Sequence, residues 1–199
     1  MLIIYKPERD GKLPDCIQYP KTKRGEHMKH SSFWQASGFA VSTLIGTILH
    51  FLYDWTGESP LAAVFSGVNE STWEHMKLLY WPLFLFAIFQ YFFYKEANYW
   101  YVKLAATVLG LMLIPVLFYT YNGMFGKSPD WVNIVIFYIA AGAAFGFEWW
   151  AFRKNCMLWK YPQLGLGALI GIGILFVIFT FAPPQIPLFR DPVTGEFGV

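Results

Sequence analysis

Seven polar side chains crowd into one short interval of the chain: His50, Asp54, Asn69, Glu70, Ser71, Glu74 and His75. His50 and Asp54 stand four apart, and so do Glu70 and Glu74, so on helices each pair shares a face. Two such faces turned toward each other are how helix bundles assemble carboxylate–imidazole metal sites. The oxygen and nitrogen ligands His50, Asp54, Glu70 and Glu74 would suit zinc, manganese or iron, and an open position on the divalent metal could activate water. The chemistry would then be hydrolysis, or simple binding, of an amphiphilic or peptide-like molecule. Two observations weigh against a protease-like centre. No HExxH is present, and Glu74 and His75 are neighbours that point about 100° apart on a helix. Carboxylates at 70 and 74 are also favoured by the free amides of a helix start. His50 and Asp54 could then hydrogen-bond to that helix end as a purely structural clamp.

The elements that must hold these residues follow from composition. Of 199 residues, 56% are hydrophobic and 14% charged. An ordinary soluble domain carries about 25% charged residues, so this chain is too poor in charge for a surface that faces water. Five stretches approach the roughly 20 residues that a helix needs to cross about 30 Å of hydrocarbon. They are Phe33–Tyr53, Leu78–Tyr94, Tyr101–Tyr121, Trp131–Phe152 and Gln163–Ala182. Helix is required there, because backbone in lipid must satisfy its own hydrogen bonds. The expected architecture is an all-α integral membrane bundle of five transmembrane helices. It divides into a basic cytoplasmic tail (1–32), the transmembrane domain (33–182) and a Pro-rich extracytoplasmic tail (183–199). The lipid bilayer is the first partner this implies.

Lysine and arginine set the orientation. With the N-terminus inside, the inner side collects Lys6, Arg9, Lys12, Lys21, Lys23, Arg24, Lys29, Lys95, Lys103, Arg153, Lys154 and Lys160. The outer side keeps Lys77, Lys127 and Arg190, and twelve against three predicts N-in and C-out in the cytoplasmic membrane. Cys16 and Cys156 then both face the reducing side as free thiols. No run before residue 33 is apolar for long enough to predict a cleavable signal peptide. The basic tail lacks interleaved aromatics, which excludes a nucleic-acid partner.

Local patterns refine the spans. Thr43, Thr47, His50 and Asp54 form a polar stripe on the first, and Gly46 beside them would admit a neighbouring backbone. Trp55–Pro60 reads as a turn, and Leu61–Val68 is apolar but too short to span, so it is an interfacial or re-entrant segment. Ser71 with Glu74 has the spacing of a capping box. Pro82 and Pro115 should kink the second and third spans, the former freeing the carbonyl of Leu78. Gly142–Gly146 and Gly167–Gly171 are GxxxG pairs at matching depth, predicted to pack on each other. Glu148 is the one carboxylate deep in a span by sequence. It is expected to pair with Lys103, because an unpaired charge in lipid is costly. The apolar residues of the C-terminal tail, Ile186, Leu188, Phe189 and Phe197, predict that it lies across the outer face.

The block Val68-Asn-Glu-Ser-Thr-Trp-Glu-His-Met-Lys-Leu-Leu-Tyr-Trp-Pro82 and the ending Pro187-Leu-Phe-Arg-Asp-Pro-Val-Thr-Gly-Glu-Phe-Gly198 resemble a family of small, uncharacterised bacterial multi-pass membrane proteins. The resemblance covers Phe33 to the end and implies a membrane fold. It carries no activity, so no residue takes a role from it. Three functions remain open on the residues alone. The first is a metal-dependent hydrolase or ligand-binding protein centred on the outer cluster. The second is a transporter or channel component that titrates His50 and Glu148 and needs a homo-oligomer for its path. The third is a structural subunit.

Overall fold

A computed structural model of the protein describes residues 21–96, 98–154, 161 and 163–199. The expectations for Lys6, Arg9, Lys12, Cys16, Cys156 and Lys160 lie outside the described residues. The described chain is helical: α1 Lys21–Trp55, α2 Pro60–Phe65, α3 Thr72–Tyr91, α4 Tyr99–Phe125, α5 Asp130–Lys154 and α6 Leu164–Phe181, followed by a 3-10 turn at Pro187–Phe189. Helix α1 begins at Lys21, twelve residues before Phe33.

Four helical stretches are long and apolar enough to cross a membrane: Ser31–Trp55, Tyr99–Phe125, Trp131–Lys154 and Leu164–Phe181. The fifth expected span corresponds to α3, 20 residues long. Its first turns carry Glu74, His75 and Lys77, which dilute its apolar character. Helix α3 is nonetheless the most internal helix. It packs against α1, α4 and α6, and its Leu79 and Tyr80 are fully buried. Large apolar side chains such as Leu44, Ile139, Ile174 and Phe181 point outward from the other helices. Apolar surface on that scale suits lipid rather than water.

Both internal prolines are accommodated without ending a helix. Pro82 lies inside α3 and Pro115 inside α4. The Leu78 carbonyl, deprived of its amide partner by Pro82, is the atom that Gly46 of α1 approaches. A Cβ built at Gly46 would stand 3.0 Å from it. The GxxxG expectation fails. Nothing lies within 4 Å of a Cβ built at Gly146, Gly167 or Gly171, and Gly142 meets only Phe39 at 3.8 Å. Helix α6 packs on α4, α3 and α2 instead of α5, through the face bearing Gly165, Leu169, Gly173 and Phe176. A side chain at Gly165 would collide with the backbone of Trp100, and Gly173 makes room for the Tyr80 hydroxyl, which donates to Leu169 O at 2.8 Å.

At the end of the bundle remote from His50, Lys103 of α4 donates to Glu148 Oε2 of α5 at 2.6 Å, both side chains being buried. The ammonium also lies 5.5 Å from the Tyr99 ring centroid and 5.8 Å from those of Phe86 and Phe145. The pair fastens the two helices that make the most extensive contact in the molecule.

Candidate functional site

The link from α1 to α3 is built around buried polar atoms. Helix α1 ends in a turn where Gly57 and Glu58 both take left-handed φ values, 65° and 61°, and Pro60 opens α2 where its missing N–H is no loss. Ser66 then folds back on α1. Its hydroxyl donates to the Leu49 carbonyl and accepts from the Tyr53 amide at 3.0 Å, bridging a carbonyl and an amide that one helical turn would otherwise join directly. Ser71 caps α3 by accepting from the Glu74 amide at 3.3 Å. Its own amide is held by Asn69 Oδ1 at 2.9 Å.

Glu74 does not complete the capping box or face α1. Its carboxylate turns inward, accepts from the Val68 amide at 3.1 Å and meets Lys77 Nζ at 2.5 Å. Lys77 is fully buried, and its nitrogen also donates to Ala63 O and Thr180 Oγ1, each at 2.8 Å. Three acceptors around one nitrogen use all three ammonium protons, so the charged pair is the state this geometry supports. One side chain thus ties α2, α3 and α6 together. By sequence Lys77 counts only as an outer-side charge, since nothing local signals a partner more than a hundred residues away.

Of the seven predicted cluster residues, His50, Glu70 and His75 converge, Asp54 and Glu74 do not, and Asn69 and Ser71 serve the start of α3. Glu70 stands between two imidazoles, with Oε1 3.6 Å from His50 Nε2 and Oε2 3.5 Å from His75 Nε2. The ring centroids of His50 and His75 are 5.7 Å apart. Neither contact of Glu70 is as short as a hydrogen bond. The Nδ1 of His75 lies 2.9 Å from the Ser71 carbonyl. A carbonyl only accepts, so Nδ1 carries a proton, and in the neutral imidazole Nε2 then faces Glu70 as a lone pair. Asp54 is exposed beyond the cluster, and Glu74 belongs to Lys77. Among the described residues, no group of three or more His, Cys, Asp or Glu is disposed to hold a metal ion. The expected ligand set His50, Asp54, Glu70 and Glu74 is therefore broken up, because Glu74 satisfies its charge three residues along its own helix. The hydroxyls of the α1 stripe are spent on their own backbone, Thr43 on Phe39 O and Thr47 on Thr43 O, each at 2.8 Å.

The imidazole–carboxylate cluster lines one wall of a cavity of about 560 Å³. Its floor is apolar, from Gly46, Leu78, Ile134 and Phe137. Another wall comes from the far end of α4 and the turn into α5: Asn122, Lys127, Ser128 and Asn133. That turn is preorganised. Asn122 Oδ1 accepts from the Ser128 amide at 2.8 Å, and Ser128 Oγ is 3.0 Å from Asn133 Oδ1. Sequence reasoning missed these four residues. The available signal was that in a bundle of alternating helices the 122–133 turn returns to the same end as His50.

The C-terminal segment supplies the remaining rim. Trp73 of α3 packs between Phe176 and Phe189, with centroids 4.5 Å and 4.6 Å away. Asn69 Nδ2 donates to Gly198 O at 3.0 Å. Between these anchors a small hairpin closes, with Arg190 and Phe197 bridged and Asp191 accepting from Val193 N at 2.7 Å and Thr194 Oγ1 at 3.0 Å. Pro192 and Val193 at its tip line the cavity.

Buried charge pairs, outward apolar faces and a half-polar cavity at one end define an all-helical protein with helices apolar enough to span a membrane. The chain belongs to a family of unknown function, DUF6512, whose model matches residues 23–199. No curated protein and no solved structure matches it.

Proposed function

We propose that this is a five-span protein of the cytoplasmic membrane, N-terminus inside and C-terminus outside, whose outer-face cavity binds an amphiphilic ligand. The cavity carries the reading. Its lining joins polar groups, among them His50, Glu70, Asn122 and Lys127, to apolar ones from α1, α3 and α5, so a head group and a chain would each find a matching surface. At about 1.5 Å per residue, the 20 residues of α3 reach about 30 Å, enough to span. The charge asymmetry supports the orientation even after internal lysines are set aside. Without Lys103 the inner count falls from twelve to eleven, and without Lys77 the outer count falls from three to two.

Ile134 is 58% exposed and lines the floor, so a larger side chain there fills the cavity without crowding the core. Native mass spectrometry of the purified protein should find one retained amphiphile in the wild type and none in Ile134→Trp, at unchanged thermal stability. A wild type that retains nothing, or an Ile134→Trp variant that retains the ligand equally, would remove this reading.

A further inference from the structure

The cluster at the head of the cavity specifies what kind of head group it takes. Glu70 offers a carboxylate and His75 an imidazole lone pair fixed by its Nδ1 bond to Ser71, while His50 Nε2 stands 3.6 Å from the same carboxylate. With His75 neutral, two acceptors, Glu70 Oε2 and His75 Nε2, face each other at 3.5 Å. Such an arrangement repels itself until a donor is shared by both sides. The molecule shows its own solution one turn further on, where the Lys77 ammonium is gripped by a carboxylate, a carbonyl and a hydroxyl. The Glu70 cluster has the same mixed acceptor character but opens into a cavity instead of enclosing a lysine. Its side chains remain reachable, with 46% of Glu70, 32% of His50 and 18% of His75 exposed.

We propose that the cavity recognises a primary ammonium carried on an apolar body, with Glu70 and His75 as its direct acceptors. This rests on the amphiphile-binding reading above. Hydrogen bonding by N–H groups, not charge alone, sets the preference, so a quaternary ammonium of the same chain length is a poor ligand. Lys127, on the wall from the α4–α5 turn, is placed to meet an anionic group on the same head, as in an ammonium–phosphodiester zwitterion.

The test is calorimetry of the full-length protein in maltoside micelles, titrated with decylammonium, decyltrimethylammonium and decanol. Glu70→Gln serves as the variant that removes charge while preserving shape. Decylammonium should bind the wild type at least about tenfold tighter than either other probe, and Glu70→Gln should abolish that margin. Equal affinity for decylammonium and decanol would overturn the ammonium assignment. If Ile134→Trp still blocked both probes, the cavity reading would stand. Failure of every probe to bind the wild type would overturn both.

A pH series on the wild type needs no variant. The groups around the bound nitrogen are His50, Glu70, His75, Lys127 and, from the hairpin, Asp191. Decylammonium affinity should hold from pH 8 to about 6.5, the ordinary histidine value. It should fall below that as His75 gains a proton and changes from acceptor to donor. Affinity that rises as the pH falls from 6.5 to 5 would count against the acceptor role. Competition by phosphatidylethanolamine in nanodiscs, but not by free ethanolamine, would make the source a lipid head group. The reverse pattern would make it a water-soluble amine.

Discussion

Lys77→Met lowers the stability of the protein by about 3–5 kcal/mol, whereas the double variant Lys77→Met with Glu74→Gln recovers at least half of that loss. The single change leaves a buried carboxylate without its counter-charge, and it strips Ala63 O and Thr180 Oγ1 of a shared donor. The double change removes the uncompensated charge and keeps an amide able to accept from Val68. Unfolding of purified protein in mixed micelles at rising SDS fraction measures both. A single variant as stable as wild type would mean that the Lys77 cage contributes nothing net. Equal losses in the single and double variants would mean that the packing of the methionine, not the stranded charge, dominates.

Gly165→Leu should cost about 3 kcal/mol or prevent folding, and Gly167→Leu should fall within about 0.5 kcal/mol of wild type. The two glycines are two residues apart on α6 but face opposite surroundings. Gly165 lies against the Trp100 backbone, which cannot rotate out of the way as a side chain would. Gly167 is exposed and meets nothing, so an added leucine enters the apolar exterior. The same unfolding assay compares them. Similar costs at both positions would show that α6 is rotated relative to the face described here.

That contrast shows where sequence reading stops. The spacing of Gly142, Gly146, Gly167 and Gly171 states that small residues share a face on each helix. It is silent on which way that face turns. The turn is decided by bulky partners, Tyr80 and Phe176 among them, that seat the opposite side of α6 against α3. The long apolar helices were legible because length and lack of charge are local properties. The acidic–imidazole cluster was legible in part: His50, Glu70 and His75 meet, whereas Glu74 is drawn inward by Lys77. No local pattern separates a carboxylate that faces a cavity from one that faces a lysine on its own helix. The wall from Asn122 to Asn133 escaped for a related reason, since its residues acquire a shared role only when α4 and α5 close against α1.

The placement of Pro192 and Val193 on the cavity rim carries a consequence for biogenesis. These residues follow α6 in the chain, so every helix is synthesised before the rim exists. Until Gly198 reaches Asn69 and Phe189 settles on Trp73, the pocket stands open on one flank. On the proposed reading, the pocket therefore takes its full rim only when the segment after α6 fastens onto the start of α3.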